Sequence, residues 1–162
     1  MPLAREVSAD HDGPSVTCPS CSARIAITAP TGWYVRSPGD VYQHLGVDMA
    51  ALEREELRVV LLNSKNRVLR IVTAYTGNVS ASLVRVGELF REAVRDNVSG
   101  VVLVHNHPSG DATPSPDDLH LTAQVLAAGR LLDIDLLDHV VIASGGYVSL
   151  RDRGVTFDRV TR

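Results

Sequence analysis

The stretch His105 to Asp118, HNHPSGDATPSPDD, concentrates the side chains best able to do chemistry in this 162-residue chain. His105 and His107 stand one residue apart at the end of an apolar run. Successive side chains in a strand point to opposite faces, so the two imidazoles would project to one side where the strand ends. Paired neutral imidazoles suit a borderline metal such as zinc, which takes His nitrogen and carboxylate oxygen in a tetrahedral shell. The loop that follows contains Pro108, Gly110 and Pro114, all turn formers, and brings round Ser115, Pro116, Asp117 and Asp118. A third ligand delivered by that segment would leave the fourth position for water, whose pKa a bound zinc lowers to about 7. The same residues also spell a helix start. Ser115 is an N-cap, Pro116 occupies the favoured first helical position, and Asp118 completes a capping box that needs no metal. The two readings are compatible, because a capped helix can present its third residue to an ion.

Other candidates carry less. Glu55 and Glu56, in EREE, form by themselves an ordinary solvated charge cluster. Cys18 and Cys21 make half a zinc ribbon, and a closed site needs four ligands. His11 or His44 could contribute, but neither spacing is diagnostic, so a turn is expected there. His139, beside Asp138, reads as a hydrogen-bonded structural histidine, with a supporting role behind a metal ligand as the alternative. His120 falls on a different helical face from Asp118.

These residues need a frame. SPGDVYQHLGVDMAALEREEL begins like a helix at Ser37-Pro38, with Val41, Leu45, Met49 and Leu52 at helical spacing. LRVVLLNSKNRVLRIVTAYTG reads as an antiparallel hairpin turning at Asn63-Ser64-Lys65-Asn66. Leu83, Val86, Leu89, Phe90 and Val94 mark one face of a second helix ending near Asn97. SGVVLVH is continuously apolar, as in a strand covered on both faces. SPDDLHLTAQVLAAG is a third helix, closed by Gly129, and LLDIDLLDHVVIASGGYVSL supplies two or three more strands. Helices interspersed among strands predict an α/β layered domain over residues 37–162. Residues 1–36 read as a tail or small appended element, with one short strand in RIAITAP and Trp33 and Tyr34 as anchors to the domain.

Composition narrows the class. Hydrophobic residues are 44% and charged residues 22%, the balance of a chain with a real core. A net charge of −3 and a pI near 6.0 count against autonomous nucleic-acid binding. The longest apolar runs are too short to span a bilayer and no signal-peptide hydrophobic region opens the chain, so a cytoplasmic protein without a membrane partner is expected. Two cysteines so close together are no disulfide framework, in keeping with a reducing compartment.

His-x-His, seven residues, Ser, two residues, Asp resembles the pattern of JAMM metalloproteases, also called the MPN-plus or JAB type. More closely, VVLVHNHPSGDATPSPDDLHLT, LLDHVVIASGGYVSLRDRG and ELRVVLLNSKNRVL resemble the bacterial RadC family over about residues 37–154. The resemblance implies a cytidine-deaminase-like JAB/MPN fold, a mixed β-sheet flanked by helices. It implies a zinc ion held by His105, His107 and Asp118, Glu55 as the base for a metal-activated water, and Ser115 as oxyanion stabiliser. Relatives carry Glu-x-Phe before the first strand, and EEL matches it with Leu57 in the aromatic position. Glu56 is the rival base, since one residue of register reverses the face. The chemistry so implied is hydrolysis of an amide or isopeptide bond in a peptide or protein substrate. The alternative is a non-catalytic zinc-containing module, an accessory or interaction protein associated with DNA repair. VRVGELF keeps Glu88 and Phe90 but lacks the His, Pro and Arg usual in that segment, and the helix-hairpin-helix module of many relatives is not expected here. A homodimer is left open, because two copies could share a zinc through their CxxC pairs.

Overall fold

A computed structural model of the chain describes residues 15–17, 24–26, 32–77 and 84–157. Two short strands, β1 (Ser15–Thr17) and β2 (Arg24–Ala26), pair antiparallel with Ser15 opposite Ala26. β2 is the strand expected within RIAITAP. Cys18, Cys21, His11 and Leu83, singled out from the sequence, lie outside the described residues.

Five further strands and three helices form the rest. The strands are β3 (Glu56–Leu62), β4 (Val68–Thr76), β5 (Gly100–Asn106), β6 (Asp135–Ala143) and β7 (Gly146–Ser149); the helices are α1 (Pro38–Ala50), α2 (Val86–Arg95) and α3 (Pro116–Leu132). The strands make one mixed sheet in the order β4-β3-β5-β6-β7, with β5 antiparallel to β3 and parallel to β6. Parallel neighbours need a long crossover, and α3 supplies it. The fold is therefore an α/β layered domain, a mixed sheet flanked by helices.

Local chemistry explains the elements. α1 starts where Asp40 accepts hydrogen bonds from the Ser37 backbone N–H at 2.8 Å and its hydroxyl at 3.1 Å, with Pro38 as first residue. The β3–β4 turn is tied by Asn63, whose side-chain oxygen accepts from the N–H groups of Lys65 and Arg67 at 2.9 and 3.0 Å, while Asn66 takes a left-handed φ of 58°. The segment before α1 joins the sheet as anticipated: Tyr34 bridges Arg67, and Trp33 stacks on His44 with ring centroids 4.1 Å apart.

Two apolar layers lie on opposite faces of the sheet. On one, Val41, Leu45 and Met49 of α1 cover Val60, Leu62, Val102, Val104, Val140 and Ile142. On the other, α2 and α3 cover Leu57, Val59, Leu61, Val101, Leu103 and Val141 with Leu89, Phe90, Leu121 and Val125. Every residue of β5 is buried, as its continuous apolar run predicts.

Two expectations need correction. Val94 is 55% exposed, because the buried stripe of α2 runs through Leu89, Phe90 and Ala93 and leaves Val94 on its margin. Gly129 does not close α3. The helix continues to Leu132 and ends at Asp133 in the left-handed conformation, with φ of 56°. Gly129 instead permits close approach: a Cβ there would sit 2.5 Å from the Ile134 carbonyl oxygen. Among the described residues, no helix is long and apolar enough to cross a membrane.

Candidate metal centre

The alternation of β5 decides which face carries the chemistry. Val101 and Leu103 face α2 and α3, Val102 and Val104 face α1, and His105 continues the first set. His105 is 1% exposed, and its Nε2 lies 2.9 Å from His107 Nε2. α3 starts beside them and aims its third residue at both rings. Asp118 Oδ1 is 3.1 Å from His105 Nε2, and Oδ2 is 3.5 Å from His107 Nε2. Among the described residues, these three form the one group of metal-capable side chains, with a ligand atom from each lying within 4.8 Å of the others.

The capping box and the cluster are one structure. Ser115 Oγ accepts from the Asp118 N–H at 3.1 Å, while the Ser115 N–H and hydroxyl each donate to Asp118 Oδ2 at 2.7 Å. That engages Oδ2 and leaves Oδ1 directed at His105. The Ser115 hydroxyl proton is thus turned toward Asp118.

The donor chemistry fits a cation. His107 Nδ1 lies 2.8 Å from the Asp111 backbone carbonyl, which can only accept, so Nδ1 carries the proton and Nε2 offers its lone pair. His105 Nδ1 is likewise engaged on its far side, 2.8 Å from His139 Nε2, again leaving Nε2 toward the cluster. Two imidazole nitrogens and a carboxylate facing one another repel unless a proton or a metal lies among them. A tetrahedral zinc with arms of about 2.0–2.1 Å needs ligand atoms about 3.3 Å apart. The His105–His107 separation of 2.9 Å and the His105–Asp118 Oδ1 separation of 3.1 Å lie near that value, and His107 Nε2 is 3.5 Å from the other carboxylate oxygen, Oδ2.

Electrostatics follow the contacts. Burial works to raise the Asp118 pKa, but hydrogen bonds with His105, His107 and Ser115 outweigh it and hold the carboxyl well below its ordinary range. The hydrogen bond with Asp118 raises the His107 pKa above its usual 6.5, burial opposes this, and the nearby Glu55 charge adds to the rise. His139, 0% exposed, is held well below 6.5 chiefly by burial.

The candidate glutamates separate by face. Leu57 pairs with His105 across the β3–β5 ladder; alternation continued one step past both strand ends would bring Glu55 to the face of His107, in keeping with the effect of its charge on that ring. Glu55 is half-buried, and its carbonyl accepts from the Gly77 N–H at 2.8 Å. Glu56 turns to the opposite face and pairs with Arg58 at 2.8 Å; Arg58 also bonds Asp48 of α1. A cleft of about 570 Å³ beside Glu55 is lined by Glu53, Arg54, Gly77, Pro108 and Ser109. His120 is exposed, on a different face of α3 from buried Asp118.

Sequence reasoning passed over Asn106 and Thr122. Asn106, between the two histidines and therefore on the other face, accepts from the Glu56 N–H at 2.7 Å and donates to the Arg54 carbonyl at 3.0 Å. It clamps the backbone on both sides of Glu55. Thr122 stands four residues after Asp118, the spacing that shares a helix face, and that spacing was the available signal.

Comparison with known proteins points one way. A family profile described as a RadC-like JAB domain matches residues 35–155. A UPF0758 protein of Chloroflexus aggregans is 55% identical over 124 residues, covering 76% of this chain and 54% of its own length. One from Roseiflexus castenholzii is 53% identical over 123 residues, 76% of this chain and 53% of its own. One from Desulfitobacterium hafniense is 43% identical over 121 residues, 75% of this chain and 53% of its own. The chain thus spans about half the length of these curated relatives.

Proposed function

The chain belongs to the RadC-like JAB domain family, and from that premise we propose that it is a single-zinc module in which His105, His107 and Asp118 hold the ion. The observation that carries this is the backing of both imidazoles: each Nδ1 is engaged away from the cluster, so both Nε2 atoms converge on the Asp118 carboxylate. Such an ion would tie the end of β5 to the start of α3 across the intervening loop, and the module would serve partner proteins as an accessory or interaction domain. The turning of the Ser115 hydroxyl onto Asp118 favours this metal-holding role, because an oxyanion partner needs that proton free. The test is metal analysis of protein purified without chelators. About one zinc per chain, lost in His107→Ala, is expected; a metal-free wild type would refute it.

One observation favours a second reading, hydrolysis of an amide or isopeptide bond. Glu55 shares the metal face and its charge acts on His107. A bound zinc would supply Lewis acidity and a more acidic water. Glu55 would take up a proton on its carboxylate and return it to the departing amine. The cleft beside Glu55 would seat an extended peptide or protein segment. Peptide-library cleavage by zinc-loaded protein, abolished in Glu55→Gln and retained in Glu56→Gln, separates this reading from the first.

A further inference from the structure

Behind the three ligands lies a line of buried polar groups that holds no ligand itself. His105 Nδ1 is 2.8 Å from His139 Nε2, His139 Nδ1 is 2.7 Å from Thr122 Oγ1, and Thr122 Oγ1 is 2.6 Å from the Asp118 backbone carbonyl. His139 and Thr122 are both 0% exposed, so the line is closed to solvent. It begins at one metal ligand and ends on the backbone of another.

Its direction can be deduced. A carbonyl oxygen only accepts, so the single Thr122 hydroxyl proton points to Asp118. That hydroxyl must then accept from His139, which places a proton on His139 Nδ1. A buried ring whose partners are a hydroxyl and a neutral imidazole is itself neutral, so His139 Nε2 is an acceptor. His105 must therefore donate from Nδ1, and its Nε2 is left as a lone pair facing His107 and Asp118. The reverse order would leave the 2.6 Å contact between Thr122 Oγ1 and the Asp118 oxygen without a hydrogen and would put a proton on His105 Nε2, where a metal must bind.

We infer that His139 and Thr122 are a positioning pair: they fix the tautomer and ring orientation of His105 so that Nε2 is the metal donor. The inference rests on the metal reading above, and it adds residues from β6 and the interior of α3 to the centre. The geometry that permits it is a bulge. Leu136 faces α2 and α3 and Leu137 faces α1, yet after the register shift between Val101 and Val102 of β5 it is His139, not Asp138, that returns to the metal face beside Leu103.

Two measurements test it. Long-range ¹H–¹⁵N spectra of the imidazoles in metal-free protein, at alkaline pH where the cluster has shed any shared proton, should show His105 protonated on Nδ1. Zinc affinity by chelator competition should fall about 10- to 100-fold in Thr122→Val, with His105 shifting toward the Nε2-protonated form, and should recover in Thr122→Ser. His139→Leu should match Thr122→Val; should it fail to fold, the wild-type spectrum still decides. His105 protonated on Nε2 in the wild type would overturn the inference, as would a Thr122→Val protein with unchanged tautomer and affinity. A wild type that binds no zinc but shows the Nδ1–H tautomer would instead refute the metal reading and leave the tautomer control standing.

Discussion

Replacing Asp118 by Asn separates the two roles that the HNHPSGDATPSPDD segment combines. An Asn carbonyl in the place of Oδ2 can still accept from the Ser115 N–H and hydroxyl, now at 2.7 Å each, so the capped start of α3 survives. Both bonds lose charge assistance, at a cost of about 1–2 kcal/mol together. The amide nitrogen, in the place of Oδ1, falls 3.1 Å from His105 Nε2 and can donate to its lone pair, returning about 1 kcal/mol. The metal-free variant should therefore unfold within about 1 kcal/mol of wild type, a fall in Tm of at most about 4 °C for a domain of this size. Zinc tells the two proteins apart. At free zinc a thousandfold above Kd, wild type gains about 4 kcal/mol and about 8–16 °C, whereas the variant, having exchanged an anionic ligand for a neutral amide, should gain less than about 1 kcal/mol. The assay is thermal unfolding followed by circular dichroism, with chelator and with buffered zinc. If zinc raises the Tm of Asp118→Asn as far as that of wild type, Asp118 is only a capping residue and the assignment fails.

Three other outcomes are expected. Asn106→Ala removes both side-chain bonds that clamp residues 54–56, costing about 1–3 kcal/mol, and should accelerate amide exchange at Glu56 while the amides of Val59 to Leu61 stay protected; unchanged exchange at Glu56 would remove Asn106 from the positioning of Glu55. Gly129→Ala gains about 1 kcal/mol of helix propensity but forces a Cβ to 2.5 Å from the Ile134 carbonyl oxygen, so urea denaturation should show a net loss of about 1–2 kcal/mol, and a stabilised variant would contradict the close approach of α3 to β6. In metal-free protein the raised His107 pKa means that its pairing with Asp118 stabilises fully below pH 6.5 and fades as pH rises through the folded value, while the lowered Asp118 pKa means that the contribution is present above 3.8 and is lost in acid. Zinc binding displaces the His107 proton, so affinity should rise with pH over the window in which metal-free stability falls, and chelator competition across that range checks the opposition of sign.

Much of the centre could be read from residue order, because its parts are local. His-x-His on a buried strand, the turn residues of the loop and the Ser-Pro-Asp-Asp helix start each follow from periodicity and capping within fourteen residues. The helices, the hairpin and the α/β layering followed from the same short-range rules. Residues distant in the chain could not be placed so. Which of Glu55 and Glu56 faces the histidines depends on the β3–β5 register, with Leu57 opposite His105, and one residue of slip would exchange them. Gly129 reads locally as a helix stop, but the approach of Ile134 makes it a helix residue without a side chain. The bulge at the start of β6 turns His139 toward His105, where it meets Thr122 from α3. Local sequence therefore determined which side chains could bind a metal. Tertiary structure decided which of their neighbours hold them, since strand register, a bulge and a helix-to-strand approach are set by packing between segments tens of residues apart.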